Sequence, residues 1–179
     1  FIAGLPEIAW DDRKLSLTVA EFREQLKDYI SGRDERLIDL FFLPNDNAQV
    51  LRLLRKQEPD GALSTVYPVK LLEDEIQEPD KTIPAYLREF ITDFKEEHLR
   101  YDVSPENVLS WMYYDYMMKA DNQLVKRYAE FSMNLKNLVT ALNARKYGME
   151  VAKEVGISQA QVSRLEKNAL KVMRQYLES

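Results

Sequence analysis

The chain has 179 residues, 45% of them apolar and 31% charged, the make-up of one folded domain, or one domain with a small appendage, and not of a disordered chain. Cysteine is absent and His98 is the one histidine, which excludes disulfide frameworks, thiol nucleophiles, cysteine-held zinc or iron–sulfur groups and any multi-histidine metal site. The net charge of −5 is unevenly spread: residues 149–179 carry +1 and the 148 residues before them −6, so a phosphate backbone is repelled by the body and tolerated only at the tail.

The opening Phe1–Trp10 is apolar with Pro6 and reads as a short extended segment; Phe1 rather than Met begins the chain, so a preceding segment is expected. Thr18 and Glu21 have capping-box spacing, and Val19, Phe22, Leu26, Tyr29 and Ile30 follow on one helical face. A short helix through Arg36–Leu43 is expected to stop at Pro44, with the next starting at an Asn45 or Asp46 cap and running through Val50, Leu51, Leu53 and Leu54. Residues 58–68 read as a loop and Val69–Ile76 as a short helix. After a proline-flanked connection, a helix from Pro84 runs to about His98.

Ser104-Pro105 is a cap followed by a first-turn proline, and Val108–Met118 is apolar or aromatic nearly all round, the pattern of a helix in a bundle centre or beneath a partner. Within Asp121–Tyr147, Leu124, Tyr128, Phe131, Leu135, Leu138 and Leu142 step by 4, 3, 4, 3 and 4 residues, a heptad-like seam that Gly148 would terminate. Trp111, Met112 and the seam from Leu124 to Leu138 are expected to share one core, so that Leu135→Ala costs ~2–5 kcal/mol. The fold class is all-α: a helical bundle at 1–147 with a C-terminal helix-turn-helix at 148–179.

In that tail Val151, Ala152 and Val155 form the inner face of a short helix, Gly156 ends it, Ile157 plugs the turn, and Ser158 caps a second helix whose Val162 and Leu165 face back. This is the order a DNA-reading helix-turn-helix requires. It equally suits an αα-hairpin packed on the body without DNA. The run Val151 to Lys171 resembles the promoter −35-reading part of bacterial sigma factors, especially the sporulation type. The resemblance implies that Gln159, Ala160, Ser163 and Arg164 contact bases, with Lys167 and Lys171 nearer phosphate. Nothing in residues 1–147 resembles the polymerase-binding and −10-reading regions of that family.

The body resembles another family. Ala3-Gly4-Leu5-Pro6, Leu37 to Leu43, Tyr113-Tyr114-Asp115-Tyr116 and Asn134 to Tyr147 look like an uncharacterised bacterial family whose genes sit in V-type ATPase operons, similar to the C-type stalk subunit of that ATPase. The resemblance covers roughly residues 1–150 and implies an all-helical, non-catalytic connector with ATPase subunits as partners, cytoplasmic and peripheral to a membrane ATPase. A natural fusion, an engineered chimera or a misassigned terminal sequence would each join two such parts.

Chemistry is sparse. The five glycines form neither GxGxxG nor a P-loop, and no apolar run approaches the ~20 residues of a membrane span. His98 beside Glu96 and Glu97 reads as a surface histidine, and Asp11-Asp12 as a solvated turn. Asn45-Asp46-Asn47 reads as a cap and not a calcium loop, and the Trp111–Met118 aromatics as core more than a ligand pocket. No cofactor, metal or enzymatic activity is expected. Two functions remain: a structural connector, or alternatively a DNA-binding module reading a −35-type element.

Overall fold

The computed structural model describes residues 17–99 and 103–147, with side chains to residue 140. Six helices and no strand occur among the described residues: α1 (Val19–Lys27), α2 (Gly32–Leu54), α3 (Val69–Gln77), α4 (Ala85–Lys95), α5 (Pro105–Met118) and α6 (Gln123–Tyr147). The all-helical body expected from sequence is thus observed. The segment Phe1–Trp10 and the tail's helix-turn-helix lie outside the described residues.

Local chemistry starts α1 and α5 where expected, whereas α2 begins at Gly32 on a Ser31 cap, ahead of the expected Arg36. The Thr18 backbone N–H and hydroxyl donate to Glu21 Oε2 at 2.8 and 2.7 Å, and the Glu21 N–H donates back to Thr18 Oγ1 at 3.2 Å. At α5, Ser104 Oγ accepts from the Asn107 N–H at 3.3 Å and Pro105 fills the first turn, where no partner for its nitrogen is needed. No residue of α1 is buried; its anchor is Arg23. That guanidinium donates to Asp39 Oδ1 at 2.6 Å and to the Thr65 carbonyl at 3.0 Å, and lies 4.6 Å from the Phe42 ring centroid. Tyr29 and Ile30 fall beyond the end of α1.

The expected break at Pro44 does not occur. α2 runs unbroken for 23 residues with Pro44 inside it. Proline has no N–H to give to the Leu40 carbonyl, a loss that commonly stops a helix. Here the Tyr113 hydroxyl of α5 donates to that carbonyl at 3.0 Å. Leu43, Val50 and Leu51 bury the helix on both sides of the proline. Asn45 and Asp46 therefore do not cap a helix; they sit mid-helix and reach across to the 58–68 loop.

Two helix ends form without glycine. After α2, Lys56 takes φ 56° while Gln57 N–H donates to Arg52 O and Lys56 N–H to Leu53 O, both at 2.9 Å. After α4, Glu97 takes φ 57° while His98 N–H donates to Asp93 O at 2.8 Å. This Schellman closure ends α4 at Lys95 instead of near His98. A left-handed non-glycine residue costs roughly 1–2 kcal/mol, which the closing backbone hydrogen bonds of these turns offset.

α5 is the central helix: it packs on α2, α4 and α6, while α3 and α4 also lie on α2. Val50, Leu72, Leu87, Phe90 and Met117 are fully enclosed where these helices meet. Two buried carboxylates tie the long connections to the bundle. Asp46 accepts from the Val66 and Tyr67 N–H groups at 2.9 Å each, and Glu75 from the Asp80 and Thr82 N–H groups at 3.1 and 2.7 Å. Burial holds the Asp46 carboxyl above the usual aspartate range, partly offset by those two N–H donors.

Candidate functional site

Several described residues singled out from sequence have structural partners. His98 Nδ1 lies 3.2 Å from Glu96 Oε2, and both side chains are exposed. The Tyr86 hydroxyl donates to Asn47 Oδ1 at 2.7 Å inside the core. Burial, before its tyrosine neighbours, pushes the Tyr86 hydroxyl far above the usual phenol range, so it stays protonated. Asn45, Asp46 and Asn47 point to three different partners, Ser64, the Val66–Tyr67 backbone and Tyr86, so they neither converge on an ion nor cap a helix. Among the described residues no group of three or more His, Cys, Asp or Glu side chains could hold a metal. Nor is any described helix long and apolar enough to cross a membrane. Asp11-Asp12 lies outside the described residues.

What stands out is a surface. The expected seam on α6 is not in the core: Leu124 is 73% exposed, Phe131 65%, Leu135 48% and Tyr128 45%. Trp111 on α5, also expected inside, is 59% exposed. Of the residues placed in one core from sequence, Met112 alone is fully buried and Leu138 is half-covered.

The reason lies in the opposite side of α6. Val125 and Ala129, four residues apart, are buried. Alanine lets α6 approach closely, and a close approach of backbones favours the narrow face over the bulky one. Lys136 Nζ donates to Ser110 Oγ at 2.7 Å, tying α6 to α5 on the inner side; partial burial lowers the Lys136 pKa. Tyr128 is partly anchored, with its ring 4.8 Å from that of Phe41 at 68°. The pair Val125 and Ala129 at i, i+4 was the signal that marks this inner face, but in the sequence it is outweighed by the larger side chains of the seam.

The outer stripe thus runs along α6 from Leu124 through Tyr128, Phe131 and Leu135 to Val139, which is 48% exposed. Monomeric proteins seldom leave such a contiguous row of large apolar groups in water without a use for it. α6 is also the basic part of the molecule. Residues 123–147 hold Lys126, Arg127, Lys136, Arg145 and Lys146 against Glu130, a net +4 in a chain of −5. The body, acidic as a whole, therefore presents a basic helix immediately before the tail. The other sequence-derived candidates, Gln159, Ala160, Ser163, Arg164, Lys167 and Lys171, lie outside the described residues.

The fold and surface define a class: a protein all-helical in its described residues, with an exposed apolar helix face. The chain belongs to the family described as "Protein of unknown function (DUF2764)", whose model matches residues 1–173. The match crosses the boundary at residue 148 and takes in most of the tail, so it gives a fusion or chimera no support. A 29-residue stretch is 76% identical to the RNA polymerase sigma-G factor of Clostridium acetobutylicum, which is 16% of this chain and 11% of that protein. The chain thus spans about a tenth of the length of the curated relative it matches. Neither match names an ATPase subunit. No solved structure matches the chain.

Proposed function

We propose that this chain is a non-enzymatic interaction protein that docks a partner on the outer face of α6. The exposed row Leu124, Tyr128, Phe131, Leu135 and Val139 on a folded bundle carries this reading. Such a row stabilises an assembly by leaving water when a partner covers it. The connector role similar to a V-type ATPase C-type subunit rests on the sequence motifs at Ala3–Pro6, Leu37–Leu43, Tyr113–Tyr116 and Asn134–Tyr147, with the all-helical body in keeping with it. Co-purification of the full chain with ATPase subunits tests it. The wild-type chain should retain them and a Phe131→Asp, Leu135→Asp variant should lose them; retention by the variant overturns docking at α6.

A second reading is favoured by the sigma-G match: the tail reads a −35-type duplex through Gln159, Ala160, Ser163 and Arg164, with Lys167 and Lys171 on phosphate. The basic charge of α6 supports it, because residues 123–179 together carry +5 and phosphate attraction scales with such charge. In gel-shift titration, Arg164→Ala should weaken binding by ~1–3 kcal/mol and relax one base position. Lys171→Ala should weaken all duplexes alike and flatten the salt dependence. Equal binding of −35-type and scrambled duplexes would sink the sequence-reading role.

A further inference from the structure

We infer that the partner of the α6 stripe is an acidic amphipathic α-helix from another protein. This deepens the interaction reading above and rests on it.

Three observations select the occupant. The first is spacing. Leu124, Tyr128, Phe131, Leu135 and Leu138 step by 4, 3, 4 and 3 residues, and four of these five are exposed. Knobs at this period leave holes that another helix fills, whereas an extended strand, repeating every two residues, fills every second hole at best. The row from Leu124 to Val139 extends about 22 Å at the helical rise, so a partner of roughly fifteen residues covers it.

Charge is the second. α6 holds five basic groups to one acidic. Exposed Arg127 precedes Phe131 by four residues, about 40° around the helix from it and so at the rim of the row, while exposed Glu130 lies about 100° from Phe131, farther from the row. Rim charges at such positions choose partners by attraction and repulsion. They favour a helix flanked by Glu or Asp.

The third is what the chain itself offers. A second copy would bring an α6 of +4 against an α6 of +4, and like charges across a helical seam oppose pairing. Residues 149–179 carry +1 and so bring no net negative charge to a basic α6. Residues 1–12 are acidic, but Gly4 and Pro6 interrupt them and suit no continuous helix. An acidic helix from outside the chain satisfies both spacing and charge.

The test uses the full chain and two synthetic helical peptides of equal length, each with Leu at the a and d heptad positions. One has Glu at e and g, the other Lys. Fluorescence anisotropy of labelled peptide should show binding of the Glu peptide that weakens with added salt, and at least about tenfold weaker binding of the Lys peptide. Phe131→Asp should reduce Glu-peptide binding about tenfold or more, as loss of a central aromatic anchor does. Arg127→Glu should narrow the preference between the peptides. Both positions are exposed, and an unchanged thermal melt of each variant separates lost docking from lost folding. Equal binding of both peptides, still lost in Phe131→Asp, overturns the acidic partner while the interaction reading stands. Absence of any Phe131-dependent binding overturns both. A dimer in sedimentation that Phe131→Asp dissolves, Phe131-dependent binding to anionic lipid vesicles, or peptide binding gained only on deleting residues 1–16 or 148–179, would each assign the stripe to a different occupant and overturn the proposal.

Discussion

Two apolar surfaces of similar composition meet opposite fates in this molecule. Around Leu87 and Phe90 of α4, large side chains from α2, α3, α4 and α5 exclude water completely. Along α6, a row as apolar and as regularly spaced faces outward, and the helix is held by Val125, Ala129 and the Lys136–Ser110 bond instead. Apolar size and periodicity alone therefore do not assign a face to the core. The neighbouring surface must also fit, and what α6 buries is its small residues Val125 and Ala129.

The sharpest break in this contrast should come from Phe90→Ala, which opens a cavity in the enclosed region and should cost ~3–5 kcal/mol by denaturant unfolding. A loss below about 1 kcal/mol would mean that the centre of the core lies elsewhere. Asp46→Asn comes next. Each Asp46 oxygen accepts one backbone N–H, and an amide keeps a single acceptor while turning a donor on the other N–H. The expected cost is ~1–3 kcal/mol. Asp46 also carries a sign for pH. Its folded carboxyl is shifted upward by burial, so the folded state binds its proton more tightly than the unfolded chain does. Its contribution is then fully present below the unfolded pKa and lost as pH rises through the raised folded value. Stability curves from about pH 3.5 to 7 for wild type and Asp46→Asn should converge toward the upper end relative to the lower end; parallel curves would remove Asp46 from the pH response.

Tyr113→Phe deletes the donor that replaces the missing N–H of Pro44. It should cost about 1 kcal/mol, and restoring a main-chain donor with Pro44→Ala in the same chain should recover part of it. If Tyr113→Phe is neutral, water serves the Leu40 carbonyl equally well. The smallest effect belongs to the outer stripe: Leu135→Ala, expected from periodicity to cost several kcal/mol, should now change stability by under ~1 kcal/mol. A larger loss would show that the row is covered within the folded monomer.

Much of the helical framework was legible in residue order. The Thr18–Glu21 box and the Ser104-Pro105 start are local events, settled by groups within four residues of one another. The Pro44 break and the His98 end were misjudged because non-local or backbone-level interactions decided them: a tyrosine 73 residues from the Leu40 carbonyl it serves in the first case, and a left-handed turn at Glu97 with no glycine to announce it in the second. The buried latch of Asp46 was hidden for the same reason, since a carboxylate near a proline reads as a cap until its two N–H donors, 20 and 21 residues on, are in place.

What the sequence determined by itself is the all-helical class, the starts of α1, α3, α4 and α5 and the existence of a heptad row on the last described helix, because these follow from short-range hydrogen bonding and the helical period. Which side of that helix is inside was decided only by tertiary structure. Two apolar faces competed for α5, and close packing favoured the narrow pair Val125 and Ala129 over the larger total area of Leu124, Tyr128, Phe131 and Leu135, because dispersion and exclusion of water reward the surfaces that actually fit.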